Sequence, residues 1–285
     1  MRTARRRPDG EVLAYACGGA AWLHYLGSGE HRELKLPGKL APAFAGRPLS
    51  WSRDGAMLAC GVVDKDRTPQ VVVVSGEGEK IWATLGTDPA GGAVWVDEAT
   101  LLYRVSRNRG GDMDFELVSF LPPGSEGKPP EPHVRRICQA VGDGKGPAMA
   151  GAAVPSPDGS QILLLLENDG YAHYYLYSLE TGELEQVTFG PCEDFGHAGD
   201  EAGWTPDGGQ VVFSSNRAHL GHRHLWALDV ATGETRQLTY GPATDVQPRV
   251  SPDGRYLAFV HCDQYRNMDI WVAPLEDPGS AGQVS

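Results

Sequence analysis

One short motif recurs along this chain at a nearly constant interval, and it leaves few folds open. Arg7-Pro8-Asp9-Gly10, Ser52-Arg53-Asp54-Gly55, Ser156-Pro157-Asp158-Gly159, Thr205-Pro206-Asp207-Gly208 and Ser251-Pro252-Asp253-Gly254 share one pattern, and Trp95-Val96-Asp97-Glu98 is a degenerate copy. Successive aspartates lie 45, 43, 61, 49 and 46 residues apart, the long interval containing an insertion. Each position has a physical reason. Ser or Thr can bond nearby backbone through its hydroxyl, Pro presets φ, Asp suits the third place, and Gly accepts a positive φ at the fourth. The motif predicts a tight turn between antiparallel strands. Its aspartates are read as turn residues, not as catalytic carboxylates.

A second turn follows each first one. Gly29, Gly78, Gly182 and Gly233 sit in Gly-Ser-Gly-Glu, Gly-Glu-Gly-Glu, Glu-Thr-Gly-Glu and Ala-Thr-Gly-Glu, and Gly124 and Gly279 fill the role in the other two units. Two runs rich in Val, Leu, Tyr, Phe and Trp separate the turns in every unit, for example Tyr256–His261 and Asp269–Leu275, and these residues favour strands. A fourth strand follows the second turn, as in Leu184–Phe189 and Thr235–Tyr240. The closing residues Gly279–Ser285 keep the register of such an outer strand.

A four-stranded unit of this size cannot bury both faces alone, whereas units stacked around an axis bury one another. The expected fold is therefore all-β: a single six-bladed β-propeller over residues 1–285, with antiparallel blades at about 1–38, 46–86, 91–140, 150–190, 198–241 and 245–285. Because the chain starts on an inner strand and ends on an outer one, the ring is expected to close without strand exchange.

Composition narrows the function classes. The 37 glycines and 21 prolines fit many turns between short strands. A net charge of −12 argues against a nucleic-acid partner, and the basic run Arg2, Arg5, Arg6 and Arg7 reads as a solvated terminus. Five widely spaced cysteines with no Cys-x-x-Cys predict neither a disulfide framework nor a zinc knuckle. No apolar run is long enough to span a membrane. The start has no apolar segment after its arginines. The expectation is a soluble cytoplasmic protein, or a periplasmic one if a signal peptide has been removed. The oligomeric state is left open.

The run Pro248-Arg249-Val250-Ser251-Pro252-Asp253-Gly254-Arg255-Tyr256-Leu257-Ala258-Phe259-Val260, followed by Asp269-Ile270-Trp271-Val272, resembles the WD-like propeller repeat of the bacterial TolB family. It is also similar to the propeller domains of prolyl oligopeptidase and dipeptidyl peptidase relatives. The fourth to sixth units carry the resemblance best and the third least. TolB-like propellers bind other proteins, so the resemblance implies a non-catalytic module that engages a protein or peptide. In the peptidase relatives the propeller covers a separate hydrolase domain whose nucleophile lies in Gly-x-Ser-x-Gly. No serine here has that setting, and peptidase activity is not carried over. A third reading, from similarity in turn motif and histidine content to oligogalacturonate lyases, is a metal-dependent propeller enzyme.

Topology assigns the remaining unusual chemistry to one end of the blades. The two turns of each unit share one end, so the linkers between units and the loops between second and third strands gather at the other. That end collects Asp194, His197, Asp200, Glu201 and Asp245, with Gln247 and Arg249 approaching the channel, as a candidate ligand-binding set at its mouth. His197, His219, His222, His224 and His261 are candidate metal ligands. No cofactor is required by this reading, although imidazole and carboxylate together suit a divalent ion. If His222 and His224 share a strand, they point the same way. Trp51, Trp95 and Trp204, each just before a turn motif, are expected to pack between blades. The proline-rich Leu121–Pro132 is expected to form an extended loop.

Overall fold

The computed structural model describes residues 4–41, 48–63, 65–84, 87–107, 112–120, 132–141, 150–168, 170–195 and 202–284. Among them, regular structure is almost entirely β, with one 3-10 turn at Pro278–Ser280. The strands form six antiparallel sheets in chain order, the sheet count and internal order of a six-bladed propeller. Two compact units contain them, Met1–Ala148 and Met149–Ser285. No helix among the described residues is long and apolar enough to cross a membrane.

The first unit holds three sheets. The first joins β1 (Ala4–Arg6), β2 (Val12–Cys17), β3 (Ala20–Tyr25) and β4 (His31–Glu33). The second contains β5 (Lys39–Leu40), β6 (Leu49–Trp51), β7 (Met57–Val63), β8 (Pro69–Ser75) and β9 (Lys80–Ala83). Here the sequence expectation needs amending. Both β5 and β6 pair with β7, so this sheet has five strands and its inner position is filled by two short pieces. Lys39 and Leu40 precede the start expected for that blade at residue 46. The third sheet joins β10 (Ala90–Trp95), β11 (Thr100–Arg107), β12 (Asp112–Ser119) and β13 (His133–Val141). The proline-rich segment expected between its last two strands lies, apart from Pro132, outside the described residues.

The second unit repeats the plan. Its sheets are β14 (Ala150–Pro155), β15 (Gln161–Glu167), β16 (Ala172–Ser178) and β17 (Leu184–Gln186); then β18 (Gly203–Trp204), β19 (Gln210–Ser215), β20 (His224–Asp229) and β21 (Thr235–Gln237); then β22 (Thr244–Val250), β23 (Tyr256–Cys262), β24 (Met268–Pro274) and β25 (Gly282–Gln283). The outermost strands are shorter than the sequence pattern suggests: β17 ends at Gln186 and β21 at Gln237. An outer strand has a hydrogen-bonding neighbour on one side only, so little holds its far end in the sheet.

The recurrent motif makes the same turn each time. In the fourth sheet Gly159 N donates to Ser156 O (3.0 Å), Ser156 Oγ donates to Asp158 Oδ1 (2.6 Å), and Ser156 Oγ accepts from Gln161 N (3.0 Å). The fifth and sixth sheets reproduce this with Thr205, Asp207 and Gln210, and with Ser251, Asp253 and Tyr256. Gly159, at φ 77°, takes the left-handed conformation that the fourth position demands. Adjacent turns touch: a Cβ on Gly254 would lie 3.4 Å from Pro206 Cδ.

These bonds set an acid sensitivity. The hydroxyl of Ser156 and the N–H and hydroxyl of Ser160 hold the Asp158 carboxyl down at about 2, and Ser251 with Arg255 does the same for Asp253. A carboxyl depressed in the folded state stabilises above its unfolded value and loses that contribution as pH falls through its folded value. The stability gap between the parent chain and Asp253→Asn should therefore be full above about pH 4 and shrink toward pH 2. Denaturant melts across that range read the gap, and one that stays constant contradicts the assignment.

Apolar side chains between neighbouring sheets form the core. In the second unit one cluster joins Leu163, Tyr174 and Leu176 to Trp204, Val211 and Phe213, and another joins Val212, Leu225 and Leu238 to Leu257 and Phe259. The inner-strand tryptophans work as expected between blades. Trp204 Nε1 donates to Val154 O (3.0 Å), and in the first unit Trp51 bonds Arg5 O (3.1 Å) and Trp95 bonds Ser50 O (2.9 Å). Each indole thus packs on one sheet and satisfies its polar edge on the inner strand before it.

Candidate functional site

At the loop end of the second unit, two buried carboxylates occupy equivalent places in successive blades. The segment Gln186-Val187-Thr188-Phe189-Gly190-Pro191-Cys192-Glu193-Asp194 parallels Gln237-Leu238-Thr239-Tyr240-Gly241-Pro242-Ala243-Thr244-Asp245. The backbone repeats as well. Thr188 Oγ1 accepts from Tyr174 N (2.8 Å) and Thr239 Oγ1 from Leu225 N (3.0 Å). Asp194 N donates to Ala172 O (2.9 Å) and Asp245 N to Arg223 O (2.8 Å). These bonds fold each linker back over the first residues of β16 or β20, which brings His173 to Asp194 and His224 to Asp245.

The first carboxylate is fully engaged. His173 Nδ1 lies 2.9 Å from Asp194 Oδ2, Arg217 Nη2 donates to Oδ1 at 2.7 Å, and both His173 and Asp194 are at 0 % side-chain exposure. The other His173 nitrogen lies 3.0 Å from Gly190 O. Both ring nitrogens of His173 thus face an oxygen acceptor. Burial alone would raise the Asp194 pKa, but the His173 bond and the Arg217 charge outweigh it, and the net shift is downward. Arg217 also donates from Nε to Ser215 Oγ (3.2 Å) and from Nη1 to Thr235 Oγ1 (3.1 Å), and its guanidinium lies over the Phe213 and Trp226 rings. Arg223 adds a further tie by donating to Phe195 O.

His173, Cys192 and Asp194 have donor atoms within 4.8 Å of one another, which raises the question of a metal. The chemistry of the set answers it. Both imidazole nitrogens are committed, the carboxylate already holds a guanidinium, and burial pushes the Cys192 thiol up, away from the thiolate that a metal requires. This cluster ties a linker to two blades, with arginine as its cation.

The second carboxylate is engaged differently. His261 Nδ1 bonds Asp245 Oδ1 at 2.7 Å, and the His261 ring stacks on Trp271 with centroids 4.2 Å apart. His224 Nδ1 stands 3.7 Å from Oδ2, too far for a hydrogen bond.

The other residues expected at this end are distributed as follows. His197, Asp200 and Glu201 lie outside the described residues. His219 and His222 belong to the loop before β20, where their rings meet at 5.0 Å, so His222 does not share a strand with His224 as the spacing allowed. Gln247 sits in a bulge of β22 at φ 57°, a left-handed conformation costly for a side-chain-bearing residue, and Arg249 bonds Pro248 O from an exposed position. Asp194 bonds His173 and Arg217, and Asp245 bonds His261. His173 and Arg217 were missed because the sequence reading weighed histidines in loops and metal spacings. The signal that finds His173 is the repeat itself, since it precedes Asp194 by the same spacing as His224 precedes Asp245.

Around these clusters the loop end exposes large apolar side chains. Tyr171, Phe189, Leu220, Tyr240 and Tyr265 lie in the linkers or in the loops between second and third strands, Met268 is the first residue of β24, and Leu220 is 80 % and Tyr265 76 % exposed.

Comparison with known proteins agrees with this repeat. Residues 136–280, just over half of the chain, match the family described as the TolB beta propeller domain. The chain belongs to that family. Among solved structures, the Agrobacterium tumefaciens protein assigned as a TolB superposes with a TM-score of 0.55 at 15 % identity, over 99 % of this chain and 80 % of that one. Dipeptidyl peptidase 4 of Porphyromonas gingivalis superposes with a TM-score of 0.67 at 14 % identity, over 96 % of this chain but 44 % of that one. At such identities the likeness is one of fold, and function has to be argued from the TolB propeller's own residues.

Proposed function

We propose that this TolB-family propeller is a non-catalytic binding module that engages a protein or peptide through the loop end of its second unit. The observation that carries the reading is the set of exposed aromatic and aliphatic side chains there: Tyr171, Phe189, Leu220, Tyr240, Tyr265 and Met268. Single exposed apolar residues are ordinary, but a group at one end of three neighbouring sheets fits a contact surface. The buried His173–Asp194–Arg217 and His261–Asp245 ties beneath hold the loops, so the surface is presented with little ordering cost.

The test is site-specific photocrosslinking from position 265 in cells. A discrete protein adduct is expected, and it should be lost when Leu220→Lys is added while thermal stability stays unchanged. Adducts that are absent, or indifferent to Leu220→Lys, would count against this surface.

A second reading draws on the likeness to part of dipeptidyl peptidase 4: a propeller that works beside a hydrolase domain. Coding sequence continuing past Ser285 into a domain with a Gly-x-Ser-x-Gly serine would favour it. The five cysteines are all unpaired, which supports a reducing compartment for either reading.

A further inference from the structure

We propose that the groove between the outer strand of the fourth sheet and the turn after β20 is a docking site for an extended cationic segment of a partner protein. This site rests on the binding reading above only for the class of its occupant, to which it adds a charge and a spacing. The groove lies within the second unit and holds about 450 Å³, a volume in the range of ligand sites. Leu176, Val187 and Val230 line its floor, and all three belong to the apolar packing that joins the fourth and fifth sheets. Glu183 and Glu185 line the same groove and are exposed, and Phe189 closes the row at the loop end.

The strand itself sets this mixture of acid and apolar surface. Glu183, Glu185, Val187 and Phe189 are two residues apart, so alternation along an extended chain brings them to one side. The cross-strand partner of Glu185 is Leu176, which packs toward the fifth sheet, and paired residues share a face. The carboxylates thus stand over the junction beside its apolar floor. Aligned on Gly182 and Gly233, the corresponding row in the fifth sheet reads Glu234, Arg236, Leu238 and Tyr240, with one charge of each sign. In the groove both charges are negative, and among the described residues no lysine, arginine or histidine lines it. Like charges about 7 Å apart along a strand favour a cation brought from outside. Arginine and lysine suit the site doubly, since their methylene stems can lie on Val187 and Val230 while the charged heads meet the carboxylates. A neutral or acidic occupant would take water from both carboxylates without replacing it. The matching segment is extended, with two cations two residues apart and an apolar residue two further on, the complement of Glu183-x-Glu185-x-Val187.

The experiment is fluorescence anisotropy of the full chain with two fluorescein-labelled synthetic peptides, Gly-Arg-Ser-Arg-Ser-Leu-Gly and its reverse, which cover both chain directions. Saturable one-to-one binding of one of them is expected, and it should be lost when glutamates replace the arginines. Glu183→Lys combined with Glu185→Lys should weaken it by about tenfold or more. Both positions are exposed, so the fold is retained, and a thermal melt checks this. Glu11→Lys combined with Glu276→Lys changes the net charge equally, away from the groove, and should leave the affinity unchanged. No saturable binding of either peptide, binding that survives reversal at 183 and 185, or an equal loss from reversal at 11 and 276 overturns the proposal. Self-association of the parent chain that disappears on reversal at 183 and 185 also overturns it, because it gives the groove to a second copy. Peptide binding without an adduct from position 265 supports the groove and removes the loop-end surface, and the opposite pair of results overturns the groove alone.

Discussion

Asp194→Ala should destabilise the chain by about 3–5 kcal/mol, among the largest losses from any single substitution outside the apolar core. The carboxylate is fully buried between His173 and Arg217, and removing it leaves a buried ring nitrogen and a largely buried guanidinium without their partner. The His173 ring would keep only its contact with Gly190 O, and the guanidinium its bonds to Ser215 and Thr235. For a chain of this size such a loss lowers the melting temperature by roughly 10 °C. Asp194→Asn should recover only part of it, since an amide accepts from one donor and presents N–H groups to the other. The measurement is a urea melt of the three proteins. A loss under about 1 kcal/mol would mean that the pair is no better than a solvated one. The same cluster predicts the sign with pH: because the Asp194 carboxyl is depressed in the folded chain, its contribution is complete above the ordinary aspartate range and lost in acid.

Trp204→Ala should cost a similar amount, about 3–5 kcal/mol, by a different route. The indole fills space between the fourth and fifth sheets with Leu163, Tyr174 and Phe213, and its N–H is satisfied by Val154 O on the neighbouring inner strand. Alanine leaves a cavity and an unpaired carbonyl. Trp204→Phe separates the two contributions: it keeps most of the volume and loses the bond, so about 1 kcal/mol is expected from the bond. Equal losses for Phe and Ala would show that the hydrogen bond, and not packing, dominates the junction.

Much of the fold could be read in advance because it is written in local chemistry. Ser156, Pro157, Asp158 and Gly159 specify their turn through bonds that span five residues, so no distant contact is needed to recognise it. The runs between turns carry their strand preference in the same way. What was illegible depends on contacts across the repeat. The splitting of the second sheet's inner position into β5 and β6 arises from two separated segments meeting β7, and neither segment has a pattern of its own. The left-handed Gln247 follows from a bulge that the sequence does not advertise. Asp194 and Asp245 were picked out as polar residues near a rim, yet their meaning lies in which cation meets each of them. For Asp194 that pairing reaches into the following sheet, which brings in Arg217, whereas His261 meets Asp245 from the adjacent strand of the same sheet.

The outer strands carry one last consequence. β4, β17 and β21 are three residues long and β25 two, and they read His-Arg-Glu, Leu-Glu-Gln, Thr-Arg-Gln and Gly-Gln. Those four sheets therefore finish on a margin too brief and too hydrophilic to template another chain's backbone, whereas the third sheet ends on the nine-residue β13. Whatever meets the outer edges of those four sheets has to be recruited through side chains instead of by extending a sheet.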